Sequence, residues 1–240
     1  MASSSSSATS DLDPRELRRR FQTVCDTTNN RFQNFQIRVH RSLSWLERAL
    51  GSDAEQEPDG RLLFGWIAFN ALYGRWDEDA GFAAKDRDSW QTFLQGVIKA
   101  DGKGVIGRRL VELRQPVLDL LDNKFLDPQF WRNPSVKANR KAFFNAQSDF
   151  VEGRWLSLAI AAIDRVYTLR GQIVHGAATR GGKLNRSTLR LSCQVLEGLL
   201  GPLLEIVIDQ CADDEWPPIC YPPIVEEKSS RGAAALRHPR

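Results

Sequence analysis

The sequence predicts an all-α protein, a helical bundle, on three observations. Apolar residues recur at steps of three and four along most of the chain, the spacing that lines one face of a helix. No run alternates apolar and polar residues over the length of a strand. Helix ends carry their own chemistry. Asp13-Pro14-Arg15-Glu16 joins a capping carboxylate to a proline at the first helical position, and Gly176 can close a helix in the left-handed conformation.

Taken in order, residues 1–12 are Ser-rich with almost nothing apolar to bury, and are expected to be disordered. The helical domain follows over 13–212. Leu17, Phe21, Val24, Thr28, Phe32, Phe35, Val39, Leu43, Leu46 and Leu50 keep an eleven-residue period. That period is about 3.67 residues per turn, so it predicts one long, nearly straight N-terminal helix ending at Gly51, with Asn29-Asn30 as its weakest point. Residues 51–60 are acidic and loop-like. Leu62 to Gly74 is apolar on every side and predicts a buried central helix. Asn70 is its polar exception, either satisfied by neighbouring backbone or orienting a site residue.

Residues 75–88 are loop-like, and Ser89 to Lys99 predicts a short helix. The glycines between 102 and 107 lack the Gly-Lys-Ser/Thr ending and the preceding strand of a phosphate-cradling loop. A helix over Val105 to Asn123 is expected, with Pro116 able to kink it. Asp127-Pro128 and Asn133-Pro134 mark turns leading into the basic cluster Arg132, Lys137, Arg140 and Lys141. A short helix over Ala138 to Phe150 precedes the principal one, Arg154 to His175. After a basic loop, Ser187 can cap a final helix carrying Leu191, Val195, Leu199 and Leu203, which Pro202 can kink. The Pro-rich end, 213–240, is expected to be largely disordered.

Of the 240 residues, 42% are hydrophobic, enough for one core. The net charge is +3, yet residues 101–190 hold 16 Lys and Arg against 8 Asp and Glu, a basic region that fits an anionic partner such as RNA or a solvated face. Cys25, Cys193, Cys211 and Cys220 show no metal-ligand spacing, so reduced thiols and no metal or cofactor are expected. No stretch of about twenty apolar residues suggests a membrane span, and no signal peptide is evident, which predicts a cytoplasmic protein.

Within the principal helix, Leu156, Ile160, Ile163, Tyr167, Arg170 and Val174 share one face. An arginine on an apolar stripe calls for an anion, a carboxylate or a subunit interface. His175, five residues on, points about 140° away with a rise of roughly 7.5 Å. The two therefore meet on one phosphate only if the helix loosens or a second copy of the chain supplies the other half, as a symmetric dimer would. Gly171 leaves space beside the imidazole. A histidine that exchanges protons near neutral pH beside a fixed cation is minimal equipment for RNA transesterification; its plainer reading is a helix-capping residue.

The segment Arg170-Gly171-Gln172-Ile173-Val174-His175 resembles the R-x4-6-H motif of the HEPN superfamily, and its surroundings resemble Apea-like and stand-alone members. Trp66 to Gly74 is similar to an upstream helix of the same proteins. The resemblance implies a dimeric helical bundle and a metal-independent endoribonuclease of toxin–antitoxin, antiviral or RNA-processing systems, with Arg170 and His175 catalytic. Substrate contacts are expected from Gln172, Thr179, Arg180, Lys183 and Arg186, with Asn70 and Gly171 in support. Some members are non-catalytic nucleotide- or RNA-binding or assembly modules. Gly171 stands where catalytic members often carry Asn, Asp or His, and Ala177 replaces a tyrosine typical of toxins controlled by a nucleotidyltransferase.

Overall fold

The computed structural model describes residues 13–28, 33–51, 57–133, 141–177, 179, 182, 185–212 and 214–221. Asp13 accepts a hydrogen bond from the Arg15 N–H at 2.9 Å and so caps the first helix, α1 (Pro14–Thr28). The next helix, α2 (Gln33–Ala49), is separate. Phe21 of α1 and Phe35 of α2 bring their ring centroids to 6.0 Å. In one straight helix, fourteen residues would separate them by about 21 Å. The expected single long N-terminal helix is thus two helices folded against each other. Their shared period reflects two stripes facing one core, and the expected break at Asn29-Asn30 lies outside the described residues.

Next comes α3 (Pro58–Tyr73), which starts earlier than expected because Pro58, read as part of a loop, takes the first helical position. It is not buried all round. Leu62, Trp66, Phe69 and Tyr73 face the core, while Ile67 is exposed and Leu63, Asn70 and Ala71 are half-buried. A small antiparallel hairpin follows, β1 (Trp76–Asp77) with β2 (Phe82–Ala83), where a loop was expected.

Beyond it run α4 (Asp86–Ala100), α5 (Val105–Glu112) and α6 (Arg114–Asp122). The expected continuous helix from Val105 is broken at Leu113. Pro116 has no N–H for the Glu112 carbonyl, and its ring crowds that carbonyl. The Asp101 carboxylate receives the N–H groups of Val105 and Ile106, each at 2.9 Å. A protein carboxylate therefore fills the place a bound phosphate would take at this glycine-rich turn.

A 3₁₀ turn (Lys124–Leu126) and the short α7 (Pro128–Arg132) lead to α8 (Lys141–Glu152), α9 (Trp155–Val174) and α10 (Arg186–Gln210). Asn185, in the left-handed region at φ 65°, precedes α10; the expected capping Ser187 already lies inside its first turn. Pro202 is accommodated within a continuous 25-residue helix. Packed against α1, α3, α4, α5, α6 and α9, α10 forms the centre of the bundle. By length and composition it could cross a membrane, but 72% of its most apolar window is buried in the protein, so the core uses its apolar surface.

Of the 213–240 stretch expected to be largely disordered, residues 214–221 are docked on the bundle, while 213 and 222–240 lie outside the described residues. Arg38, wholly buried on α2, donates to the carbonyls of Leu72, Gly74, Pro217 and Pro218. Arg41 donates to those of Cys220 and Tyr221. The Trp76 N–H reaches the Pro218 carbonyl at 3.1 Å, and Trp216 packs on Phe35 and Phe93. Proline-rich backbone offers carbonyls without competing N–H donors, and the guanidinium groups of Arg38 and Arg41 take them.

Candidate functional site

Helix α9 closes as its sequence predicts. The Gly176 N–H bonds to the Ile173 carbonyl at 3.0 Å and the Ala177 N–H to that of Gln172 at 2.8 Å, with Gly176 at φ 72°. This is a Schellman cap, in which a left-handed glycine turns the last N–H groups back onto orphan carbonyls. His175 occupies the capping position, and its own N–H bonds to the Gly171 carbonyl at 3.0 Å. The helix is therefore intact between Arg170 and His175.

The face carrying Arg170 differs from the one expected. Leu158, Ala162, Val166 and Leu169 are buried, whereas Leu156, Ile160, Tyr167 and Arg170 are half-buried and Val174 is exposed. Ile163 is the buried member of the expected stripe. Two adjacent stripes of α9 are apolar, and periodicity alone does not say which one meets the core. The arginine that is buried is Arg165, whose Nη2 lies 3.1 Å from Asp127 Oδ2.

Arg170 sits at the edge of an aromatic cluster. Its Cζ lies 5.7 Å from the Trp66 ring centroid and 5.9 Å from that of Tyr167, close enough for cation–π attraction to both. Trp66 meets Phe69 at 5.4 Å and Tyr167 at 5.6 Å. Below them the Tyr73 hydroxyl donates to Asp86 Oδ1 at 2.6 Å. Burial, joined by that carboxylate, pushes the phenol's pKa above its ordinary value, while the Arg170 charge acts in the opposite sense. Among the described residues no carboxylate lies within ion-pair distance of Arg170 or His175.

The other candidates fall in different places. The Gln172 amide donates to the Phe125 carbonyl at 2.9 Å, tying α9 to the 3₁₀ turn. At Gly171 a Cβ would meet nothing within 4 Å, so the space beside the imidazole is open. Asn70 lies one turn beyond Trp66; its side-chain oxygen is 2.6 Å from where a Cβ at Gly74 would stand, so that glycine is required by close approach. Thr179 is exposed, and Arg180 and Lys183 lie outside the described residues. Arg186 is held by Asp59 at 2.8 Å, joining the starts of α10 and α3.

Trp66 and Tyr167 are the residues that sequence reasoning left out of the site. Tyr167 stands three positions before Arg170, a helical neighbour, and that spacing was the available signal. All four cysteines are free thiols, and the described residues hold no group of three His, Cys, Asp or Glu able to bind a metal. No protein-family model, curated protein or solved structure matches this chain.

Proposed function

We propose that the chain is a HEPN-type, metal-independent endoribonuclease that works as a homodimer in the cytoplasm. One observation carries the reading. Arg170 and His175 emerge at the same open end of α9, neither neutralised by a carboxylate among the described residues, with empty space at Gly171. Because α9 stays helical between them, their side chains point about 140° apart. A loosened helix, one of the two ways to bring them together, is not what the hydrogen bonds describe. The remaining way is a twofold axis that sets the His175 of one protomer near the Arg170 of the other.

In such a composite site the 2′-oxygen of RNA attacks the adjacent phosphorus as its proton passes to a base. The phosphorus–5′-oxygen bond then breaks, leaving a 2′,3′-cyclic phosphate and a 5′-hydroxyl. His175 handles the proton and Arg170 stabilises charge on the phosphorane. The test is single-stranded RNA in EDTA. Cleavage to cyclic phosphate ends should be seen with the native chain and lost in His175→Ala, and cleavage that persists unchanged in the variant would refute the assignment. A monomer by light scattering at micromolar concentration would remove the composite site.

A second reading is a dimeric nucleotide- or RNA-binding module without turnover. Gly171 favours it, as does an Arg170 guanidinium already committed to two aromatic faces. Under this reading nucleotides raise the melting temperature and RNA remains intact.

A further inference from the structure

Away from the end of α9, a second set of guanidinium groups faces a cavity that the ribonuclease reading does not use. Arg165 is 96% buried, an environment in which a guanidinium needs compensation on most of its donors. Among the described residues it has one hydrogen-bond partner, Asp127 Oδ2, while Asp127 Oδ1 is taken by the Gln129 N–H at 2.9 Å. A guanidinium has five N–H donors, so most of those on Arg165 are unspent. They border a cleft of about 360 Å³ whose walls also carry Arg87, Arg132 and Asp164. Arg87 is paired with Asp164, and Arg132 has no carboxylate within ion-pair distance among the described residues. With each lining carboxylate matched to its own arginine, the described residues of the cleft keep one uncompensated positive charge.

This cleft does not end in solvent on all sides. Arg87, Ala161 and Asp164 are shared with a neighbouring groove of about 970 Å³ that runs back along α9. The groove is mostly apolar, lined by Ile98, Leu156, Ile160 and Ala161 with Trp155 at its far end, and edged by the polar Gln91 and Arg154. Leu156 and Ile160 belong to the α9 stripe that the core leaves half-covered. From Trp155 to Arg165 the helix rises about 15 Å, the length of a medium acyl chain with its headgroup. Ser157, which could address the edge of a base, instead donates to Asp149 at 2.5 Å.

We infer that cleft and groove together bind an anionic amphiphile, with a phosphate or carboxylate head on Arg165 and Arg132 and a hydrocarbon body along Ile160 and Leu156. The charge selects the head, and the apolar lining selects a chain over a nucleobase. Arg170 continues the stripe of Leu156 and Ile160 further along α9, but neither it nor His175 lines the cleft or the groove, so the two sites have no residue in common.

Calorimetric titration of the full chain tests this, with octyl phosphate and octanoate as probes for the two kinds of head. Saturable one-to-one binding is expected, with octanol and inorganic phosphate each weaker by about tenfold or more. Arg132→Glu, an exposed position, should weaken octyl phosphate by a similar factor without changing the melting temperature, and Leu156→Gln should do so from the groove. Unchanged affinity in either folded variant, or inorganic phosphate binding as tightly as octyl phosphate, would overturn the inference. So would displacement of octyl phosphate by oligouridylate that is insensitive to Leu156→Gln, which would assign the cleft to a nucleic-acid backbone.

Discussion

The Arg170 guanidinium lies 5.7 Å from the Trp66 ring centroid, so the arginine of the proposed catalytic pair is positioned by a helix distant in sequence. Arg170→Ala should lower stability by only about 1 kcal/mol, the scale of cation–π contacts, while abolishing RNA cleavage. Urea unfolding read beside the cleavage assay separates the two effects. A loss of several kcal/mol would mean that Arg170 is structural.

The same substitution should have opposite signs five residues apart. Gly171 is helical with nothing within 4 Å of a Cβ, so Gly171→Ala should stabilise by about 0.5–1 kcal/mol. Gly176 is left-handed at φ 72°, so Gly176→Ala should cost about 1 kcal/mol although its surroundings are equally open. Thermal unfolding of the two variants checks both signs.

Burial pushes the Cys193 thiol up to about 12, with Glu197 adding to the effect, and the Cys211 thiol also up to about 12, with Asp214 adding there. The unfolded chain releases these protons near the ordinary thiol value while the folded chain retains them. Their contribution to stability is therefore complete below about pH 8.5 and falls as pH rises towards 12, by at most about 1.4 kcal/mol per pH unit per thiol. A Cys193→Ala variant should show a shallower decline in urea unfolding between pH 9 and 11. An identical slope would show that the thiol is not the titrating group. At pH 8 a disulfide reagent should reach Cys25 and Cys220 well before the two buried thiols.

Arg38 is the buried clasp of residues 214–221. Arg38→Leu leaves four carbonyls without their shared donor and should cost about 3 kcal/mol or more. Limited proteolysis should then cut near Pro217 under conditions where the native chain resists. Equal resistance would mean that Trp216 alone anchors the segment.

Much of the helical framework was legible because caps and breakers act locally. Asp13, Pro116 and the Gly176 cap each work through the backbone within one turn, and each left its mark on the structure. Non-local information was not legible. The eleven-residue period runs through Phe21 and Phe35 alike, but it does not say that these rings meet across two helices. Arg165 and Arg170 look equivalent in the sequence; Asp127, on a different element, makes one a buried ion pair, and Trp66 makes the other an aromatic contact. The basic cluster around Arg132 was visible as charge, while the mostly apolar groove beside it needed α4 and α9 to be brought together.

Helix α10 has consequences for the order in which the chain acquires its structure. Among the described residues it packs mainly against α1, α3, α4, α5, α6 and α9, all of which precede it in sequence. During synthesis, α1, α3 and α9 emerge with apolar faces that have no central partner until residues 186–210 follow. Consecutive α2 and α3 can pair early as a local hairpin, but closure of the bundle waits on the long-range contacts of α10. A nascent chain halted before Arg186 should be a substrate for chaperones, and should lose that character once α10 has been translated.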